Sequence, residues 1–151
     1  MGIPLHPLAV HAAVVFVPLL VLTTILHGLV PRLRGYLWWL VAALGVAAPA
    51  AAFVAKMSGD AFYKRLVARN MTSPEVEVKI ESHQDLGNLT LYSSIALGVI
   101  ALGLVWYTRR ADSKPAISWA LAGLAVVASA VSAYYVFRTG DSGAKTVWDG
   151  F

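Results

Sequence analysis

Cysteine is absent from this chain, which excludes disulfides, thiolate metal ligands, iron–sulfur clusters and haem attached through cysteine. Charge is scarce: 13% of residues are Asp, Glu, Lys or Arg, against about a quarter in a soluble globular domain. Enzyme signatures are missing as well. No His-Glu-x-x-His helix and no Gly-x-Ser-x-Gly elbow occurs, so nothing marks the chain as an enzyme on its own. The glycines of Arg138-Thr139-Gly140-Asp141-Ser142-Gly143-Ala144-Lys145 follow no strand and miss the Walker pattern, which argues against a nucleotide. The net charge of +4 comes without a basic patch interleaved with aromatics, so nucleic acid is not an expected partner.

What is present is apolar length. Hydrophobic residues make up 58% of the 151, and four runs reach the ~20 residues that cross a bilayer core. They cover about 8–30, 36–55, 86–107 and 116–137. The first lacks the basic flank and the cleavage site of a signal peptide and reads as retained. Two short connections predict antiparallel hairpins, hence an all-α, up-down-up-down integral membrane four-helix bundle, one domain over 1–151.

Arg32, Arg34, Arg109, Arg110 and Lys114 crowd the two tight loops against one acid, Asp112. Elsewhere seven basic residues meet seven acidic ones, so the charge bias puts the tight loops in the cytoplasm and both termini outside. Trp38, Trp39, Trp106 and Trp119 fall at the same inner level, as an interfacial belt would. On the outer side, Ala61, Phe62, Leu66 and Val67 predict a short interfacial helix. Thr72-Ser73-Pro74-Glu75 predicts a helix start, so the third helix is expected to extend beyond the membrane. Pro18 and Pro49 predict kinks in helices one and two. Ser118, Ala122, Ala125, Ser129 and Ser132 give helix four a small-residue face for close packing. Glycine-rich pieces after helices two and four are expected to form an outer cap.

All four histidines lie in or near these segments, and intramembrane ionisable residues are candidates for function. Helices one and three run the same way, so His11 and His83 are expected to face each other near the outer surface. One haem b held by His11 and His83, with His6 as the spare ligand, is the sharpest reading; Arg138 or Lys145 would pair with its propionates. The variant is a transition metal on His11, His83 and His6, with Asp60 or Asp141 as an oxygen ligand. His27, alone at the inner end, reads as an interfacial residue. The competing class is a non-catalytic accessory subunit that packs on a larger membrane complex through its small-residue faces.

Ile3-Pro4-Leu5-His6-Pro7-Leu8-Ala9-Val10-His11 resembles the LHPLxVH opening of a bacterial family of four-helix membrane proteins of unknown function, DUF2231. Glu81-Ser82-His83-Gln84-Asp85-Leu86-Gly87 and Arg138-Thr139-Gly140-Asp141-Ser142-Gly143 are similar to its later marks. The resemblance covers essentially the whole chain. It implies a four-helix integral membrane fold and His6, His11 and His83 as the marked histidines; a multi-pass protein of the bacterial plasma membrane, in contact with lipid and with other membrane subunits, is the expectation. Haem binding is the property it suggests. Asp141 and Ser142 stand where many members carry His or Leu, which speaks against a ligand from the tail.

Overall fold

A computed structural model describes residues 5–148, so Ile3 and Pro4 of the opening motif and the chain ends lie outside the described residues. Four helices follow in order: α1 (Leu5–Leu29), α2 (Arg34–Ala68), α3 (Pro74–Thr108) and α4 (Pro115–Trp148), with a single 3-10 turn at Pro31–Leu33 between the first two. Each is long and apolar enough to cross a membrane. Neighbours in sequence pack side by side, α4 closes the square against α1, and α1 faces α3 across the diagonal. This is the expected four-helix membrane bundle.

Its composition is distributed as lipid demands. Large apolar side chains such as Leu22, Val46, Phe53, Val99 and Val127 are exposed, while the interior collects Ala48, Ala101, Ala122, Ala125, Ser94, Ser129 and Ser132. Lipid tails are as apolar as leucine, so helices associate through close packing of small residues and a few hydrogen bonds rather than hydrophobic burial. Gly45 of α2 and Gly98 of α3 bring backbones together: a Cβ on Gly98 would overlap the Gly45 carbonyl oxygen and meet Pro49 Cγ at 3.1 Å. Gly28 of α1 is packed on Ala122 of α4. Buried hydroxyls turn back to their own helix, as Thr23 does to the Leu19 carbonyl (2.7 Å) and Ser94 to that of Leu91 (2.8 Å). Across helices, Ser132 donates to the Ser93 carbonyl at 3.0 Å. At the end with the tight loops, the Arg109 guanidinium lies 3.9 Å above the Trp38 ring and that of Arg110 4.8 Å above Trp106.

Helix lengths correct two expectations. The interfacial helix over Ala61–Val67 is helical but not separate: α2 runs 35 residues without a break to Ala68. Ser58-Gly59-Asp60 does not interrupt it, because the Lys56–Asp60 ion pair spans the glycine at i,i+4 and the Ser58 hydroxyl bonds the Ala55 carbonyl. The glycine-rich tail is likewise no cap but the last turns of α4, held by an Asp141–Lys145 pair at 2.7 Å. Both α1 and α2 continue as helix through Pro18 and Pro49.

The extended third helix is as expected. Ser73 is its N-cap, accepting from the Val76 amide, and Pro74 opens the first turn. Opposite it, α2 stops because Asn70 adopts a left-handed φ of 51°. Its amide reaches the Val67 carbonyl and that of Met71 the Leu66 carbonyl, both at 3.0 Å, which is a Schellman stop with asparagine in the glycine position. Ser73→Ala should cost ~1 kcal/mol at this start, read as faster amide exchange over the first turn of α3 only.

Candidate functional site

At roughly 1.5 Å per residue, 35 residues span ~50 Å, well beyond a ~30 Å hydrocarbon core. With both tight connections at one end, the excess of α2 and α3 projects at the other. There the four helices enclose a cavity of about 360 Å³, lined by Val10, Ala13, Ala52, Phe62, Tyr63, Ile80, Gly87 and Thr90 among others. Two histidines look into it, His6 from the first turn of α1 and His83 from α3.

Their rings stand 6.5 Å apart between centroids with planes at 78°. Each is tethered by one nitrogen. His6 Nδ1 lies 3.0 Å from the Ala55 carbonyl and 3.2 Å from Ser58 Oγ. A carbonyl only accepts, so Nδ1 carries the hydrogen and Nε2 keeps its lone pair. His83 Nδ1 lies 2.8 Å from Ser142 Oγ, whose own hydrogen goes to the Thr139 carbonyl at 3.0 Å. The serine therefore accepts, and His83 Nε2 is also left bare. Both rings are thus tethered through Nδ1. A tethered Nδ1–H with an open Nε2 is how proteins aim a histidine ligand.

Glycines hold the rings in place by having no side chain. A Cβ on Gly59 would stand 3.0 Å from His6 Cε1, and one on Gly143 would stand 3.0 Å from His83 Cε1. Phe62 stacks on His6 at 6.4 Å, with the planes 18° apart. Just below, the hydroxyls of Thr90 and Thr139 meet at 2.7 Å and lock α3 to α4. His83 precedes the membrane part of α3. Burial holds it below the ordinary histidine range, His6 pushes the same way, and the Thr139 backbone opposes. The charge-free imidazole, the ligating form, is therefore favoured near neutral pH.

The expected partner of His83 was His11; the structure brings His6 instead. The two are five residues apart on α1, roughly 140° around the helix at 3.6 residues per turn. His11 is thereby turned to the exposed surface, where its Nδ1 bonds the Pro7 carbonyl of the preceding turn. Arg138 is also exposed, lying over the Tyr134 ring at 5.8 Å rather than on the cavity. Lys145 is paired with Asp141. The cation on the cavity wall is Lys56, paired with Asp60, which also accepts from Gln84. Among the described residues no three His, Cys, Asp or Glu side chains converge as a metal site. His27 is buried rather than interfacial: Nε2 bonds Thr108 Oγ1 at 3.1 Å, and Nδ1 has no partner among the described residues.

A family model described as "Predicted membrane protein (DUF2231)" matches residues 2–150, and the chain belongs to that family. No curated protein and no solved structure matches.

Proposed function

We propose that the protein is a small redox component of the bacterial plasma membrane, holding one haem b between His6 and His83 near the outer surface. His6 and His83 would hold the haem, which when bound would supply one-electron transfer. The observation that carries this reading is the pair of facing imidazoles, each tethered through Nδ1 and open at Nε2. Two imidazoles on opposite sides of one metal, at about 2.0–2.1 Å each, have ring centroids roughly 6 Å apart. The 6.5 Å separation fits that requirement.

The donor set favours haem over a bare ion. A porphyrin fills four positions itself and asks the protein for two, which is the number of imidazoles present. A bare metal asks for three or four convergent ligands, and the described residues offer no such group. The remaining lining suits a flat apolar ligand. Gly87 leaves open space on the wall of α3, Ala13 and Ala52 keep the neighbouring walls thin, and the cavity lies within the ~300–1,000 Å³ usual for ligand sites. Lys56 is the cation placed to meet a propionate.

The chain's own residues orient and shield rather than react. Ser142 and the Ala55 carbonyl fix the two ring orientations, Phe62 covers His6, and Tyr63, Leu66 and Val76 close the cavity from the projecting hairpin. The accessory-subunit alternative relied on the small-residue face of α4. Ser118, Ala122, Ala125, Ser129 and Ser132 are all buried inside the chain's own bundle, so that face is already occupied.

The test is a reduced-minus-oxidised visible spectrum of detergent-purified protein made with ample haem. A b-type band is expected, and a colourless protein refutes the reading. Ser142→Ala should weaken haem binding by ~10–100-fold, as loss of a ligand's supporting hydrogen bond does, measured by titrating haem into the apoprotein.

A further inference from the structure

Three buried side-chain atoms have no hydrogen-bond partner among the described residues: Thr24 Oγ1, His27 Nδ1 and Ser129 Oγ. All three side chains are fully buried. They lie in the half of the bundle that carries the tight loops, and none of them lines the cavity of His6 and His83. Buried polar atoms are almost always paired, so three orphans in one stretch of a bundle interior point to a ligand that pairs them.

Two of them share a face of α1. Residues three apart on a helix are neighbours, with Cβ atoms about 5–6 Å apart. A helical side chain leans toward the turn before it, so the His27 ring tips toward Thr24. The His27 hydrogen is fixed by the other ring nitrogen. Thr108 Oγ1 gives its own hydrogen to the Leu104 carbonyl at 2.8 Å and therefore accepts from His27 Nε2 at 3.1 Å. Nε2 carries the hydrogen, and Nδ1 is a bare acceptor. A serine or threonine hydroxyl can turn to a carbonyl of its own helix. Nδ1 has no such recourse, because it needs a hydrogen brought to it.

Ser129 adds a third group from α4. Counting outward from the contact of Gly28 with Ala122 on the antiparallel α4 puts it about one turn beyond Thr24. Ala122 and Ala125, the buried α4 side chains below it, keep that wall thin. We infer that this stretch is a binding site for internal water. One water donates to His27 Nδ1 and bonds Thr24 Oγ1, and a second carries the chain on to Ser129 Oγ. Two hydrogen bonds of roughly 2.8 Å through one oxygen cover the span between Thr24 and His27. Buried water binds where several otherwise unpaired polar groups converge, whereas a purely apolar void stays dry. Thr24 and His27 belong to α1, Thr108 to α3 and Ser129 to α4, so the water ties three helices together in a setting where hydrophobic burial drives no association.

The experiment is a crystal structure of the full-length protein grown from a lipid mesophase, at a resolution that shows ordered water. A nitrogen NMR spectrum of the histidine-labelled protein in micelles accompanies it. Expected are a water within hydrogen-bond distance of both Thr24 Oγ1 and His27 Nδ1, and an Nδ1 resonance upfield of a bare imidazole nitrogen. Thr24→Val keeps the shape and removes the hydroxyl. It should lose that water and return Nδ1 to the bare position, with the bond from Nε2 to Thr108 kept. Thr23→Val, whose native hydroxyl bonds the Leu19 carbonyl, is the control and should change neither. A dry site in the wild-type protein overturns the inference. So does a Thr24 hydroxyl bonded directly to Nδ1 with no water, or an Nδ1 resonance indifferent to Thr24→Val. Haem content enters none of these readouts, so failure of the haem reading and failure of the water site are told apart.

Discussion

His6→Ala and His83→Ala are each expected to purify without haem, while His11→Ala keeps the parent spectrum. The contrast follows from where helix geometry puts three histidines that look equivalent in the sequence. His6 and His83 line one cavity with Nδ1 tethered, and His11 bonds its own helix on the exposed surface. Removing either imidazole takes away one of the two side chains that would hold the haem. The effect on occupancy should therefore be near-complete for both, not graded. Circular dichroism and gel filtration of the same variants separate ligand loss from unfolding. The core residues Val17, Leu20, Val41, Leu97, Ala101 and Val105 do not line the cavity, so the helical signal should persist. Retention of haem by His6→Ala together with its loss from His11→Ala would restore the His11–His83 pairing and reject the arrangement described above.

Gly98→Leu is the substitution expected to damage the fold most. The Gly45–Gly98 contact is backbone against backbone, and Pro49 sits on its other side. Neither neighbour is the tip of a flexible side chain, so α2 and α3 must separate to admit a leucine. Overpacking a tight interior costs ~1–3 kcal/mol where neighbours can shift, and here the atoms in the way belong to main chain and a proline ring. The upper part of that range, or beyond it, is expected, as a lower midpoint in detergent thermal melts followed by tryptophan fluorescence. Leucine at Gly103, where an added Cβ meets nothing within 4 Å, is the control and should be nearly silent.

The spans and the bundle were legible in the sequence because bilayer thickness imposes a length and a hydropathy that few other demands mimic. Ser73 was legible too, since a serine before a proline that opens a charged helix has little else to do. The stop at Asn70 was not. Left-handed asparagine depends on the Leu66 and Val67 carbonyls being free to accept, which composition does not reveal. The tail misled in the opposite direction: Gly140 and Gly143 suggest a loop, but packing of Gly143 against His83 keeps the helix going.

Which histidine meets His83 was readable in principle. His6 and His11 differ by about 140° on a helix, so only one of them can share a face with Val10 and Ala13, two of the cavity-lining positions of α1. Choosing between them needs the packing partner, and that comes from Gly59, fifty-three positions along the chain from His6. Burial of His27 was beyond reach for a similar reason. Its partner, Thr108, closes the far end of α3.

Electron paramagnetic resonance of the oxidised, haem-loaded protein tests the central claim most directly. Two imidazoles on one ferric iron with planes near perpendicular, as the 78° between His6 and His83 requires, give a low-spin signal of high anisotropy. That signal is the expected result, and it should vanish in both His6→Ala and His83→Ala. A high-spin signal from the wild-type protein, or a low-spin signal unchanged by His6→Ala, would contradict the account.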